Sequence, residues 1–148
     1  MVKLWLRICT VLLAVLLSGC TERHLSLHRE PDITWESLRG QWLFINYWAE
    51  WCKPCIEELP ALSAFDRQQA SARVLGVNYD AVPAAQLDKL KQQFAIEFSL
   101  LLHDPAAELA YNRPTVLPAT VVFDVEGRYI DTLYGPQTGK SLQQVMLD

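Results

Sequence analysis

The stretch of sequence that decides the fold is WLFINYWAEWCKPC, residues 42–55. Residues 41–48 are nearly all apolar and rich in aromatic and branched side chains, which predicts a strand buried on both faces of a sheet. A run with apolar residues at a spacing of three follows, from Ile56 to Gln69, and predicts a helix that begins near Cys52. A Cys-x-x-Cys motif between a strand and a helix is typical of a redox dithiol.

The positions of Cys52 and Cys55 predict a reactive thiol. Two cysteines three residues apart on the first turn of a helix lie on one face, close enough to form a disulfide. Unpaired backbone N–H groups and the helix dipole favour negative charge there, so we expect a lowered pKa for the Cys52 thiol. Zinc binding is the alternative, but a closed zinc site needs four ligands, and His103 is the only histidine within residues 33–148.

Residues 1–19 have the pattern of a secretory signal peptide. Two positive charges, Lys3 and Arg7, precede an apolar segment, residues 8–17, which is too short to span a bilayer as a helix. A signal anchor that stays attached is the alternative interpretation.

The end of this segment, Leu-Ser-Gly-Cys at residues 17–20, resembles the bacterial lipobox. The resemblance implies that Cys20 is acylated and becomes the first residue of the mature protein. Acyl chains on Cys20 would anchor the protein to a bacterial membrane, facing the periplasm. Thr21, in the next position, slightly favours the outer membrane.

Composition and charge predict one acidic globular domain behind a tether. The net charge of the 148 residues is −4, and loss of Lys3 and Arg7 would take it to −6, which argues against nucleic-acid binding. We interpret residues 20–32 as the lipidated cysteine and a polar tether, in which His24 and His28 are solvated. Residues 33–148 are predicted to form the domain.

Helices and strands alternate along the predicted domain. Thr34 could cap a first short turn of helix, and Asp104 could cap another over residues 105–111. The pattern predicts an α/β fold with a central mixed β-sheet flanked by helices. Beyond the first helix, the predicted elements are a strand at 73–79, a helix at 84–94, a strand at 98–102, a hairpin at 120–125 and 128–134, and a helix at 139–147.

Several motifs occur together in one order: residues 44–55 with the dithiol, Glu58-Leu59-Pro60, Gly76-Val77-Asn78, Leu117-Pro118-Ala119-Thr120, and residues 123–128. In this order they resemble the thioredoxin superfamily, and within it the membrane-anchored TlpA/ResA-type thiol-disulfide oxidoreductases. The resemblance spans about Ser37 to Asp148 and implies a thioredoxin-like fold.

The resemblance also implies a role for each residue of the dithiol turn. Cys52 would be the exposed nucleophile, and Cys55 the more buried thiol that closes the intramolecular disulfide. Pro54 is compatible with the start of a helix, where its missing N–H does no harm, and it would stiffen the turn. Lys53 could lower the Cys52 pKa a little, although it also fits a solvated position. Trp51 should cover one side of the site.

A second wall and a candidate proton relay follow from the same resemblance. Pro118 would be cis, which would bring the Leu117 backbone against the sulfurs and leave an edge for a substrate to pair with. Thioredoxin has a buried acid where this sequence has Asn46. Asp80 could relay the proton instead, although it equally fits a surface turn.

The chain also departs from the family in its length before the active-site strand. The family usually has an N-terminal hairpin that extends the sheet, and this segment is shorter here. We expect Thr34-Trp35 to supply at most a short strand.

The resemblance implies an extracytoplasmic thiol-disulfide oxidoreductase that works through Cys52 and Cys55 without a cofactor. We expect a reductant of protein disulfides, with apocytochrome c or another periplasmic redox protein as partner, and with the membrane contacted through Cys20. The direction of electron flow depends on reduction potential, which the motif does not encode. The alternative is a binding or assembly lipoprotein in which the same cysteines form a structural disulfide.

Overall fold

The structure is a computed structural model that describes residues 22–147. Within this range a 3-10 turn, Trp35–Leu38, precedes the strand that leads to the dithiol. The strands and α-helices in chain order are β1 (His24–Leu25), β2 (Ile33–Thr34), β3 (Trp42–Trp48), α1 (Lys53–Gln68), β4 (Ala72–Asn78), α2 (Ala84–Gln93), β5 (Ser99–Leu101), β6 (Ala119–Phe123), β7 (Tyr129–Tyr134) and α3 (Gly139–Val145).

The central element is a five-stranded mixed sheet in the order β5-β4-β3-β6-β7. The strand β3 lies in the middle, parallel to β4 and antiparallel to β6. Six of its seven residues are buried, which explains why its sequence is nearly continuously apolar. The predicted α/β fold with a central mixed sheet is confirmed.

Alternate side chains of β3 enter two different apolar clusters. Phe44 and Trp48 pack with residues of α1, α2 and α3, on what we call the helix face of the sheet. Leu43, Ile45 and Tyr47 lie on the opposite side, which we call the loop face, because the N-terminal segment and the 3-10 turn cover it. Among the predicted apolar positions of α1, Leu59, Leu62 and Phe65 are buried against the helix face, and Ile56 is partly buried there.

The segment before the domain differs from the predicted solvated tether. Leu25 and Leu27 are buried on the loop face, and Leu27 forms a bridge with Leu101 of β5. His28 is only 2% exposed, and its Nε2 lies 2.7 Å from Asp88 Oδ1, so the prediction of a solvated His28 is wrong. His24 is exposed, as expected. The two leucines alternate with polar residues, and that period of two places both on one side of an extended segment.

This packed segment contains a short N-terminal hairpin, where we expected at most a short strand at Thr34-Trp35. The strand β1 pairs with β2 in antiparallel register, and β2 ends at Thr34. Thr34 also caps the 3-10 turn as predicted, since its Oγ1 accepts a hydrogen bond from Ser37 N at 3.2 Å.

The helix predicted over residues 105–111 is wrong. Asp104 does cap the segment, because its Oδ1 accepts a hydrogen bond from Ala106 N at 2.9 Å. The chain completes only one turn, in which Leu109 N donates to Pro105 O, and then takes a positive φ of 57° at Ala110. A residue in that left-handed region ends a right-handed helix.

No helix among residues 22–147 has the length and apolar character needed to cross a membrane.

Candidate active site

The dithiol lies where the chain turns from β3 into α1. Cys52 precedes the first residue of the helix, Cys55 lies in its first turn, and the two form a disulfide with Cα atoms 5.2 Å apart. Cys55 N donates a hydrogen bond to Cys52 Sγ at 3.3 Å, so the sulfur takes the place of a capping oxygen. This geometry directs the unpaired N–H groups of the helix at Cys52.

The two sulfur-bearing side chains differ little in exposure. Cys52 is 5% exposed and Cys55 is fully buried. Cys52 is the more exposed of the two, as expected for the attacking thiol, but its exposure is small.

The loop before β6 approaches the same end of the sheet. The Leu117–Pro118 peptide bond is cis, as the family resemblance implied. Pro118 is followed by Ala119, which pairs with Tyr47 near the end of β3. Leu117 packs against the same apolar cluster as the two cysteines, while Val116 is exposed. The loop thus presents an apolar surface beside the dithiol.

Trp51 forms a second exposed wall. Its ring is 66% exposed, yet its Nε1 donates a hydrogen bond to Asp80 Oδ2 at 2.8 Å. Asp80 is itself exposed and follows β4, where Asn78 Oδ1 accepts a hydrogen bond from its backbone N–H at 3.2 Å. The structure therefore shows Asp80 as an anchor for the indole, and the proton relay stays a prediction.

Arg113 connects the two walls of the site. Its Nη2 donates to the carbonyl oxygen of Tyr79, next to Asp80, at 2.8 Å, and its guanidinium lies 3.8 Å from the Tyr79 ring centroid. Its Nε donates to Asp104 Oδ2 at 2.7 Å. The chain that leads to Pro118 is thereby fixed to the end of β4.

Glu58 is a site residue that the sequence analysis missed. It lies three residues after Cys55 in α1, and it is only 3% exposed. Its Oε1 accepts a hydrogen bond from Asn46 Nδ2 at 2.8 Å, and its Oε2 accepts one from Gln137 N at 2.6 Å. Burial raises the pKa of Glu58 above its usual value, and these two N–H donors offset part of the shift.

One sequence signal could have identified Glu58. It interrupts the side of α1 that otherwise carries buried residues, such as Leu59 and Leu62, one turn after the dithiol. An acidic residue on the buried side of a helix is rarely tolerated without a partner or a function. The partner is Asn46, at the position of the missing acid.

Lys53 and Pro54 occupy the first turn of α1, as predicted. Lys53 is exposed, and its Nζ lies 3.7 Å from Glu57 Oε1. An exposed ion pair of this kind has a weak effect on its surroundings, so any influence of Lys53 on the Cys52 pKa stays a prediction.

Cys20 and the signal segment lie outside residues 22–147. Among the described side chains, no group of three His, Cys, Asp or Glu residues is arranged to hold a metal ion.

Comparison with known proteins agrees with this fold. The sequence model of the AhpC/TSA family matches residues 24–130, and the chain belongs to that family. The match begins at His24, within the segment that the structure places on the loop face of the sheet.

Curated relatives are similar over most of the domain. Thioredoxin-like protein YneN of Bacillus subtilis (strain 168) is 27% identical over 112 residues, which cover 74% of this chain and 65% of that protein. Thiol-disulfide oxidoreductase ResA of Geobacillus thermodenitrificans (strain NG80-2) is 27% identical over 118 residues, which cover 78% of this chain and 66% of that protein. The chain thus spans just under two thirds of the length of these relatives.

Solved structures show the same fold. StoA from Bacillus subtilis superposes with a TM-score of 0.68 and 20% identity, covering 86% of this chain and 97% of that one. A DsbF homologue from Corynebacterium diphtheriae gives a TM-score of 0.71 with 19% identity, covering 84% and 82%. The fold of this chain is thioredoxin-like.

Proposed function

We propose that the protein is an extracytoplasmic thiol-disulfide oxidoreductase that exchanges electrons with protein thiols through Cys52 and Cys55. The observation that carries this proposal is the Cys52–Cys55 disulfide at the start of α1, at the same end of the sheet as the cis Leu117–Pro118 bond. The similarity to ResA supports it, because that relative is named a thiol-disulfide oxidoreductase.

The thiol-disulfide exchange uses Cys52 as the attacking thiol and Cys55 as the resolving thiol. In the reduced protein, the Cys52 thiolate attacks one sulfur of a partner disulfide and releases the other as a thiolate, which takes a proton. Cys55, after losing its proton, attacks the Cys52 sulfur and releases the partner's second thiol. The partner gains two electrons and two protons, and Cys52–Cys55 becomes a disulfide.

Glu58 is the group best placed to accept the proton that Cys55 loses. It lies one helical turn away and is buried on the same side of α1. A carboxyl whose pKa is raised by burial exchanges protons closer to neutral pH than an exposed carboxyl does. Asp80, the relay predicted from sequence, is engaged with Trp51 instead.

Protein substrates fit the surface around the dithiol. Trp51, which directly precedes Cys52, and Val116, in the loop that leads to the cis peptide bond, are large exposed apolar side chains. A partially extended segment of a partner could pack against both while its cysteine reaches Cys52. We propose reduction as the direction, with apocytochrome c or another periplasmic redox protein as partner.

The experiment that tests this function is capture of mixed disulfides in cells. With Cys55→Ser, attack on Cys52 cannot be completed, so partners should stay covalently bound and be released by reductant. Cys52→Ser is the matched control and should capture none. Absence of any mixed disulfide from cells that express Cys55→Ser would contradict a catalytic role.

We also propose that lipid on Cys20 attaches the protein to the periplasmic side of a membrane, with Thr21 favouring the outer membrane. Supporting the compartment, one structural neighbour from Corynebacterium glutamicum is described as a secreted thiol-disulfide isomerase. Cys20→Ser should release the protein from the membrane fraction, whereas Cys9→Ser should not. Equal membrane association of both variants would contradict the anchor.

A further inference from the structure

One amide oxygen, buried among the described residues, lacks a hydrogen-bond partner. Among residues 22–147, the buried side-chain atoms without a hydrogen bond are Asn46 Oδ1, Trp48 Nε1 and Asn78 Nδ2. Asn46 Oδ1 is the acceptor in this set. A buried acceptor without a donor costs free energy, so this oxygen disfavours the state in which it is unpaired. That state is the one with the Cys52–Cys55 disulfide formed.

Asn46 lies next to the dithiol through its contact with α1. It is two residues from both Phe44 and Trp48 in β3, so its side chain lies on the same face of the sheet as theirs, the helix face. Its Nδ2 donates to Glu58 Oε1 at 2.8 Å. Glu58 and Cys55 are three residues apart on α1 and both are buried, so the amide contacts the side of α1 that also carries Cys55.

The partners of Asn46 determine which way its amide is turned. The nitrogen donates both to the carboxylate of Glu58 and to Thr120 Oγ1, the second at 3.2 Å. A carboxylate oxygen accepts and does not donate, whereas the Thr120 hydroxyl can do either, so reversing the amide would set its oxygen against the Glu58 carboxylate. Asn46 therefore has both N–H groups occupied and its oxygen available.

Reduction creates a new buried donor in this neighbourhood. A partner dithiol that delivers two electrons and two protons converts Cys52–Cys55 into two thiols, and becomes a disulfide itself. The Cys52 thiol can lose its proton to solvent, but Cys55 is fully buried. Its S–H group needs an acceptor that the oxidised protein has not already used.

We propose that Asn46 Oδ1 accepts a hydrogen bond from the Cys55 thiol in the reduced protein and thereby favours the dithiol form. This inference rests on the proposed function, since it concerns the same redox pair. Asn46 is then a positioning residue that holds the protonated Cys55, while Glu58 exchanges the proton. The position that carries an acid in thioredoxin here carries a group that binds a thiol proton without taking it.

The first test compares Asn46→Leu with the unsubstituted full chain in glutathione buffers. Leucine has a similar shape without the amide, so it removes the unpaired oxygen from the oxidised form and the hydrogen bond from the reduced form. The equilibrium should shift toward the disulfide by about tenfold, a change that corresponds to about 1.4 kcal/mol. Thr120→Val is the matched control, because it removes a contact of the same amide but leaves Oδ1, and it should shift the equilibrium less than threefold.

The second test reads the hydrogen bond itself. The S–H stretching band of Cys55, obtained as the infrared difference between the dithiothreitol-reduced chain and reduced Cys55→Ser, should lie at the lower frequency of a bonded thiol. In Asn46→Leu it should move to the frequency of a free thiol. An unsubstituted protein whose Cys55 band already lies at the free-thiol frequency would overturn the inference, even if Asn46→Leu does not fold.

The two tests separate this inference from the proposed function. If glutathione cannot reduce the disulfide in any variant, the proposed function fails, and the infrared band of the chemically reduced chain still decides the role of Asn46. If the couple is reversible but Asn46→Leu changes neither its equilibrium constant by more than twofold nor the band, the inference fails alone.

Discussion

Asn46 and Tyr47 are neighbours in β3, and each anchors a buried polar network on a different face of the sheet. On the loop face, the Tyr47 hydroxyl lies 2.6 Å from Asp104 Oδ1 and 2.7 Å from the Tyr111 hydroxyl. Arg113 balances the charge of Asp104. On the helix face, the amide of Asn46 retains an unpaired oxygen. The Tyr47 hydroxyl thus has hydrogen-bond partners, whereas the Asn46 amide has an oxygen without one.

Each network contains a titratable group whose pKa is raised by burial, with a different consequence. Burial, together with the neighbouring Tyr111 and Asp104, raises the pKa of Tyr47 far above its usual value, so the phenol stays neutral. Burial also raises the pKa of Glu58, so this carboxyl exchanges its proton closer to neutral pH than an exposed glutamate does. The comparison assigns structural stability to the loop face and chemistry to the helix face.

The largest expected effect separates the two faces by activity. Cys52→Ser should abolish reduction of a protein disulfide such as that of insulin, because the nucleophile is lost. Tyr47→Phe should retain most of the activity, because Tyr47 lies on the loop face while the dithiol packs with the helix-face cluster, and Arg113 keeps its bond to Asp104. The measurement is the rate of insulin reduction with dithiothreitol as electron donor. A Tyr47→Phe variant that folds and is as inactive as Cys52→Ser would remove the distinction.

The next effect concerns stability. Tyr47→Phe deletes the hydroxyl that joins Asp104 and Tyr111, which should lower the free energy of unfolding by about 1–3 kcal/mol. Urea denaturation of the oxidised protein measures it. Tyr134→Phe is the control, because Tyr134 is 59% exposed, and its effect should stay within about 0.5 kcal/mol. Equal effects of the two substitutions would show that the Tyr47 network does not stabilise the fold.

A smaller effect is expected in the pH dependence of stability. The pKa of Glu58 is raised in the folded protein above its ordinary value of 4.5, so the folded state binds the proton more tightly than the unfolded state. Its stabilising contribution is complete below that ordinary value and is lost as the pH rises through the folded pKa.

Glu58→Gln should remove this pH-dependent loss. Urea denaturation from acid to neutral pH provides the measurement, with the unfolding free energy of the variant subtracted at each pH. Glu57→Gln on the exposed side of α1 is the matched control and should leave the profile unchanged. A profile that Glu58→Gln does not alter would show that the carboxyl titrates normally.

The smallest effect concerns the exposed wall of the site. Asp80→Ala should release the Trp51 indole at a cost of about 0.5–1.5 kcal/mol or less, because the hydrogen bond is exposed to solvent. The indole N–H resonance, assigned with Trp51→Phe, should move toward that of free indole. Asp80→Asn keeps an acceptor and should retain the shift, and identical spectra for both variants would argue against the anchor.

Local patterns were sufficient to predict the parts of the fold in which one pattern dominates. The apolar sequence of β3 indicated a central strand, and the spacing of Leu59, Leu62 and Phe65 indicated the buried face of α1. The cis state of Pro118 followed only from the family resemblance, because nothing local distinguishes it from an ordinary trans proline.

The remaining features depend on contacts between distant residues. Two leucines, Leu25 and Leu27, form too short an apolar pattern to predict that this segment packs against the domain. They are buried because they contact the loop face of the sheet. The role proposed for Glu58 could not be predicted from the sequence, because it depends on long-range contacts with Asn46 and Gln137. Asp80, singled out by its position after β4, proved to contact Trp51.

The most direct test of the central claim is the redox equilibrium of Cys52 and Cys55 in the folded full chain. Samples are equilibrated in buffers of varied reduced and oxidised glutathione, thiols are alkylated, and the Cys52→Ser variant corrects for the other cysteines. We predict a reversible two-electron transition within the range of glutathione buffers. A disulfide that stays oxidised throughout, with a potential well below about −300 mV, and opens only on unfolding would identify a structural disulfide and contradict the proposed function.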